Sequence, residues 1–186
     1  MHVLNLLKRQ LEVHRELRRL DKHLSFRRGV PVLNPMPTIV RNHPQGLVWE
    51  LHVPHKPNVY MRLPIPTGAS DYVVYVSAIS FYRAWLALPQ DHARRCPIKS
   101  EMRNDYKFRY ACDRFIDTEK NPVPIAEVVP GPIHKGRRTI DFRDGMTRSL
   151  WLLTNDVAVF PVLCDNHSDA RSLMEIAGIA QPTSLV

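Results

Sequence analysis

Asp144, Gly145, Thr147 and Arg148 stand at a helix start, within the run TIDFRDGMTRSLWLLTNDVAVFPVLCD that spans Thr139–Asp165. The first backbone N–H groups of a helix have no partner inside it, and the helix dipole adds partial positive charge there. A glycine lets a ligand come close to the main chain. An anion, most often a phosphate, suits such a corner. The amides of Gly145, Met146 and Thr147 would face it, the Thr147 hydroxyl could donate, and Arg148 could fork onto two phosphate oxygens. Asp144 occupies the N-cap position, and it could equally hold a cation or orient a water. A plain alternative uses the same residues: Asp-Gly is a common tight turn, and an aspartate before a helix is a common cap. The lysine and flanking glycines of a Walker A loop are absent.

Other groups lie close in sequence. Glu127 is expected to end a strand just before the basic loop PGPIHKGRR (130–138), which carries His134, Lys135, Arg137 and Arg138. Glu127 and Asp144 are an expected Mg²⁺-binding carboxylate pair, with arginines such as Arg143 and Arg148 stabilising charge on phosphate. Alternation along a strand puts Asp141 and Arg143 on one side, where they could equally be a polar surface face. YKFRY (106–110) interleaves cations and aromatics, so it reads either as phosphate and base contacts or, more conservatively, as a helix packed by its tyrosines.

The elements that must position these groups are legible in pattern. Leu4, Leu7, Leu11, Leu17, Leu20 and Leu24 recur every three or four residues among Lys and Arg, which predicts an amphipathic basic helix over about 2–23. It would lie on DNA, on an anionic membrane, or with its leucines on the domain or a partner. An extended connection is expected over 29–45, strands over 46–53 and 58–65, and a central strand over 72–79. A short helix follows over 81–88, and a longer one over 100–115 with Ser100 as N-cap and Met102, Tyr106, Tyr110 and Phe115 inward. Then come a strand at 122–129, the 139–165 segment, and a last helix over 167–177 closed by Gly178.

The chain has 186 residues, 44% of them hydrophobic, enough for a real core. Its net charge is +8 and its distribution is uneven. Residues 1–29 carry eight Lys/Arg against three acids, 30–149 seventeen against eleven, and 150–186 one against four. A basic body points to a polyanionic partner. Three dispersed cysteines, Cys96, Cys112 and Cys164, argue against a disulfide framework and against a zinc knuckle. No membrane-spanning run and no secretory signal are expected.

The pattern strand–DGxxR–helix–strand, with Phe160-Pro161-Val162 returning about a dozen residues later, resembles the ParB/sulfiredoxin superfamily. Val73–Trp85, Asp105–Phe115 and Asn121–Val128 are similar to its plasmid fertility inhibition factor branch, and the resemblance covers roughly 72–177. It implies a mixed α/β fold: a single ParB/sulfiredoxin-like domain over 72–186, a β-rich N-terminal extension over 29–71, and the basic helix over 1–28. It further implies a protein acting in the bacterial cytoplasm that blocks DNA export by another plasmid's type IV transfer machinery. ATP or another nucleoside triphosphate would bind with its phosphates on Gly145, Met146, Thr147, Arg148 and Arg143. Arg148, Asp144 and Glu127 would serve catalysis, the two carboxylates Mg²⁺, and Lys135, Arg137 and Arg138 the DNA. The implied activities are triphosphate hydrolysis and DNA cleavage, and the implied partners are DNA and the coupling ATPase, with contact at the inner membrane face conceivable. Two departures matter. Thr147 replaces a histidine often present before the arginine, which puts histidine-dependent chemistry in doubt. Met146 replaces the cysteine of sulfiredoxin, which removes the nucleophile of sulfinic-acid repair. Two rival functions remain open: a non-catalytic inhibitor acting by contact, and a DNA-binding partition or regulatory factor. No helix-turn-helix spacing supports the second rival.

Overall fold

The computed structural model of the chain describes residues 2–26, 35–64, 72–89, 91–92, 95–179 and 183–184. The architecture is the expected mixture of α and β. Helix α1 (His2–Phe26) is followed by β1 (Thr38–Val40), β2 (Val48–Leu51), β3 (Val59–Arg62), β4 (Tyr72–Ser77) and α2 (Ala78–Leu86). A 3-10 turn at Met102–Asn104 leads into α3 (Tyr106–Arg114). Then come β5 (Val123–Pro124), β6 (Ala126–Pro130), β7 (Ile140–Asp144), α4 (Met146–Thr154), β8 (Val159–Cys164), α5 (His167–Ala177) and β9 (Thr183–Ser184).

Two mixed sheets share these strands. The first runs β1-β2-β3-β5 and the second β7-β6-β8-β4-β9. The continuous apolar run of β4 explains its central place: it pairs antiparallel with β8 on one side and with β9 on the other. The division expected at 71/72 falls outside the described residues. On either side of it, the two regions are stitched together. β3 pairs in parallel with β5, and the Trp49 Nε1–H donates to the Tyr75 hydroxyl at 2.9 Å across the sheets. One core cluster runs from Val13 and Leu17 of α1 through Trp49 and Phe81 to Leu173.

An aromatic group on the second sheet sets the site's floor. Phe81 of α2 meets Phe160 of β8 at 5.1 Å and Phe142 of β7 at 5.9 Å, and Trp85 meets Phe142 at 4.8 Å, all edge to face. Phe142 therefore fixes the strand that delivers the turn. On the far side, Phe115 stacks flat on Trp151, with centroids 3.9 Å apart, and so joins the end of α3 to α4.

Three expectations need correction. Helix α1 faces inward with Val13, Leu17 and Leu20, while Leu7 and Leu11 are 52% and 58% exposed. At 3.6 residues per turn, Leu7 and Leu11 lie about 120° and 160° round the axis from Val13, off the buried stripe. The side chain of Leu4 lies outside the described residues, as do 29–34 of the expected connection; 38–40 of that connection form β1. Helix α3 begins after Asp105, not Ser100, with the Asp105 carboxylate accepting from the Lys107 N–H at 2.9 Å. Its inward residues are Ala111 and, just beyond its end, Phe115, whereas Tyr106 and Tyr110 are 69% and 66% exposed.

Besides its buried Val13, Leu17 and Leu20 and the contacts of Arg9 with Glu101 and of Glu16 with Tyr82, helix α1 is tied to the body near its end by the Asp21 carboxylate. Asp21 accepts from Arg83 Nε of α2 at 2.6 Å, and from Arg137 Nη1 and Nη2 of the β6–β7 hairpin at 3.1 and 2.7 Å. The Arg137 hydrogen bond, opposed by partial burial and reinforced by Arg83, brings the Asp21 carboxyl down to about 2 from an ordinary 3.8. Because the folded-state value is depressed, this stabilisation is complete above about pH 4 and is lost as pH falls toward 2. Asp21→Asn is expected to lower stability at neutral pH by about 1–2 kcal/mol, a figure discounted for partial exposure. The gap between the two proteins in denaturant midpoint should close on acidification through that window.

Candidate functional site

Strand β7 ends at Asp144, and Gly145 turns the chain into α4. Gly145 sits at φ +90°, ψ 9°, a left-handed conformation that an L side chain rarely adopts. It occupies the N-cap position itself and offers no side-chain cap, so Asp144 is not the cap. The space a Cβ would need is taken: it would lie 2.6 Å from Ala126 Cα of β6 and 2.7 Å from Arg148 Nη2. The absent side chain thus serves close packing against β6 and room for the guanidinium. The first helical bond runs from the Ser149 N–H to the Gly145 carbonyl at 3.0 Å.

Arg148 lies one turn into α4, four residues after Asp144, and its Nη2 donates to Asp144 Oδ2 at 2.7 Å. The arginine is 5% exposed, while its carboxylate partner opens to solvent. Among the described residues, two buried side-chain polar atoms lack a hydrogen-bond partner, Arg148 Nε and Ser149 Oγ. Burial resists ionisation of Asp144. The Arg148 charge, the Gly145 backbone N–H and the nearby Arg114 outweigh it and hold the carboxyl below its ordinary range.

Glu127 does not end its strand. It stands near the start of β6, directly opposite Asp144 in the antiparallel β6–β7 register. The two residues are thus backbone neighbours on adjacent strands. A bulge follows, because Val128 pairs with Phe142 and leaves Arg143 as the extra residue. The alternation expected for Asp141 and Arg143 breaks there. Arg143 is ion-paired with Asp165, and Asp141 is half-buried beside His92 at 3.5 Å.

The basic loop is at the other end of this hairpin. Glu127 and Asp144 lie at one end of the ladder and Pro130 and Ile140 at the other, about 10 Å of strand away. Lys135 and Gly136 have φ of +48° and +72° and form the tip, closed by mutual hydrogen bonds between His134 and Arg137. Lys135 is exposed. Arg137 is held by Asp21, and Arg138 is ion-paired with Glu175 of α5. The three expected DNA-binding residues therefore do not adjoin the turn.

What does adjoin the turn is α3. Lys107 Nζ donates to Met146 Sδ at 3.9 Å, and Arg114 acts on the Asp144 carboxyl. Of these neighbours, Lys107 lies within the cation–aromatic run YKFRY, whereas Arg114 stands outside it and leaves no pattern of its own in the sequence. Among the described residues, no group of three or more His, Cys, Asp or Glu side chains forms a metal cluster, and all three cysteines are free. Burial pushes the Cys164 thiol up to about 12, which removes it as a nucleophile at neutral pH.

A family model for plasmid fertility inhibition factors matches residues 73–178, from β4 to the residue after α5. The chain belongs to this family. A curated relative, protein osa of Shigella flexneri, is 42% identical over 180 residues, covering 97% of this chain and 93% of that protein. The crystal structure of the oncogenic suppression activity protein, described as a plasmid fertility inhibition factor and solved as a gold(I) cyanide derivative, superposes with a TM-score of 0.87. It shares 41% identity, over 95% of this chain and 92% of that one. In this plasmid fertility inhibition factor, the family match takes in the whole β6–β7–α4 corner, and the likeness to the two relatives extends through the N-terminal strands. No helix among the described residues is long and apolar enough to cross a membrane.

Proposed function

We propose that the chain inhibits plasmid DNA transfer from the bacterial cytoplasm by handling nucleotide and DNA at the β7–α4 turn, on a scaffold of the ParB/sulfiredoxin type. The observation that carries this reading is a buried guanidinium with an unpartnered Nε–H, tethered to one solvent-facing carboxylate at a helix start. A structural arginine normally has its donors satisfied when buried. Here Arg148 keeps one buried donor unpaired. A triphosphate that displaces Asp144 from Arg148 would take over a preoriented fork of donors. ATP or another nucleoside triphosphate is the proposed ligand, DNA the proposed substrate, and the ATPase that couples DNA to the transfer channel the proposed target. The exposed leucines of α1, set among lysines and arginines, are the surface offered for contact at the inner membrane face.

The donor set fits Mg²⁺ in a limited way. Two opposed carboxylates, Glu127 and Asp144, suit an ion that keeps several waters and completes its shell with phosphate oxygens. Bound there, the ion would supply charge neutralisation on the phosphoryl group. The chain's own residues would do the rest: Arg148 would orient the phosphate, and one of the two carboxylates would take a proton from the water as it attacks the terminal phosphorus and the bridging P–O bond breaks to release the diphosphate.

The test is to incubate purified protein with ATP and with plasmid DNA, in Mg²⁺ or in EDTA. Glu127→Gln and Asp144→Asn variants are run beside it. Turnover is expected in Mg²⁺ only, and about a hundredfold less in each variant, as when a positioned acid–base group is lost. If transfer is still inhibited by variants that no longer turn over, the catalytic reading is wrong and inhibition is by contact. That outcome is the second reading, and the exposed Leu7 and Leu11 favour α1 as the contact.

A further inference from the structure

The outward face of α3 is an unusual one for a helix of this size. Tyr106 and Tyr110, four residues apart, stand side by side and expose two-thirds of their surface. Arg109 flanks them on one side, and Lys107 and Arg114 on the other. The Lys107 ammonium lies 5.4 Å from the centre of the Tyr106 ring. Asp113 is the acid within the stripe, and Asp105 uses its carboxylate to cap the helix. At the start of α3 a cleft of about 470 Å³ opens toward α1, lined by Arg9, Arg95, Glu101, Tyr106 and Lys107. Arg9 crosses from α1 to Glu101 at 2.6 Å. At its far end, the Arg114 charge acts on the Asp144 carboxyl of the β7–α4 turn.

We infer that this face binds single-stranded nucleic acid, with unpaired bases stacking on Tyr106 and Tyr110 and the backbone following Lys107, Arg109 and Arg114. The argument is one of chemistry. Two exposed aromatic rings among cations match the general recognition of single strands, where rings receive bases and cations follow phosphates. A duplex keeps its bases stacked on each other, so it presents the tyrosine rings with phosphates and groove edges only. The spacing fits, since residues four apart on a helix place their Cβ atoms about 6 Å apart, room for a base on each ring. The inference deepens the proposed function and rests on it only in taking nucleic acid as the polymer. It states the form of the strand and the route by which it reaches the turn.

The test is fluorescence anisotropy of labelled oligothymidylate, oligouridylate and a DNA duplex at low and moderate salt. The proteins are the wild type, the Tyr106→Ala/Tyr110→Ala double variant, the corresponding Phe double variant, and Asp113→Asn. The wild type should bind one or both single strands at least about tenfold more tightly than the duplex, and binding should weaken with salt. The DNA and RNA arms decide which strand is preferred. The alanine pair should lose at least about tenfold for the single strand, the phenylalanine pair should keep it, and Asp113→Asn should tighten it. Because both tyrosines are exposed, the alanine pair should keep the wild-type denaturant midpoint, and that control is measured. Equal affinity for duplex and single strand overturns the inference, as does an alanine pair that binds like the wild type. Sedimentation that shows the tyrosine face pairing two copies of the chain overturns it too. ATP binding, read on the same variants, separates this inference from the reading of the turn. Loss of strand binding with ATP binding retained upholds the α3 face whatever Arg148 is found to do.

Discussion

Replacing Arg148 by alanine is expected to weaken ATP binding about a hundredfold or more and to abolish any triphosphate turnover. The size follows from the geometry. Each charge-assisted hydrogen bond from a guanidinium contributes about 1.5–3 kcal/mol, and a forked contact makes two. Arg148 is 5% exposed, so it would act on phosphate from a poorly solvated position, where its charge is less screened. The variant also leaves unfilled space under the turn. Its denaturant midpoint must therefore be read beside its affinity, and Arg148→Lys supplies the second arm. Lysine keeps the charge but not the fork, so it should recover part of the affinity and most of the stability. Inhibition of DNA transfer measured in the same variants decides between the two functions. If it vanishes with nucleotide binding, the site is the inhibitor's engine. If it persists after nucleotide binding is gone, the catalytic proposal is refuted and the contact reading replaces it.

Gly145→Ala should cause the largest loss of stability from a single methyl group. Two costs add. A non-glycine residue at φ +90° pays about 1–2 kcal/mol for the left-handed backbone. Its Cβ would then stand 2.6 Å from Ala126 Cα, a main-chain atom of the neighbouring strand that cannot swing aside. Forcing an extra carbon into a packed site typically adds about 1–3 kcal/mol. The expected total is about 3 kcal/mol, a large part of the margin of an ordinary domain, and roughly 6–12 °C in Tm for a chain of this length. Gly136 is the internal control. It too has a positive φ, +72°, but a Cβ there meets open space. Gly136→Ala should therefore show the backbone cost alone. If the two alanine variants melt together, the packing argument at Gly145 is wrong.

Much of this corner was legible in the sequence because its signals are local. The run of β-formers ending in Asp-Gly, the helix that follows and the strand beyond it are set by neighbours in the chain. Helix α5 was read to its ends because Gly178 closes it; at its start the Asn166 side chain accepts from the Asp169 N–H. Glu127 was expected to end its strand beside the basic loop, but the β6–β7 register sets it opposite Asp144, at the far end of the hairpin from that loop. The direction in which a hairpin runs from a given pair is not a local signal. Helix α3 was misread for a definite reason. Met102, Tyr106 and Tyr110 recur every four residues and mimic one helical face. The intervening 3-10 turn winds three residues per turn and Asp105 then leaves the helix, so the phase resets. Met102 is buried, the two tyrosines are turned outward, and Ala111 takes the inward place. Side-chain partners across the fold, such as Asp21 with Arg83 and Arg137, leave no periodic trace at all.

The flat stack of Phe115 on Trp151 has an optical consequence. Trp49 and Trp85 are sealed in the interior, while Trp151 lies on α4, against the end of α3 and within 5.8 Å of the Lys56 ammonium. Its indole is thus a built-in fluorophore at the junction between the tyrosine-bearing helix and the arginine-bearing one. Its share of the tryptophan emission should shift when either helix is displaced, and a Trp151→Phe variant identifies that share against Trp49 and Trp85, so ligand occupancy can be followed without any attached dye.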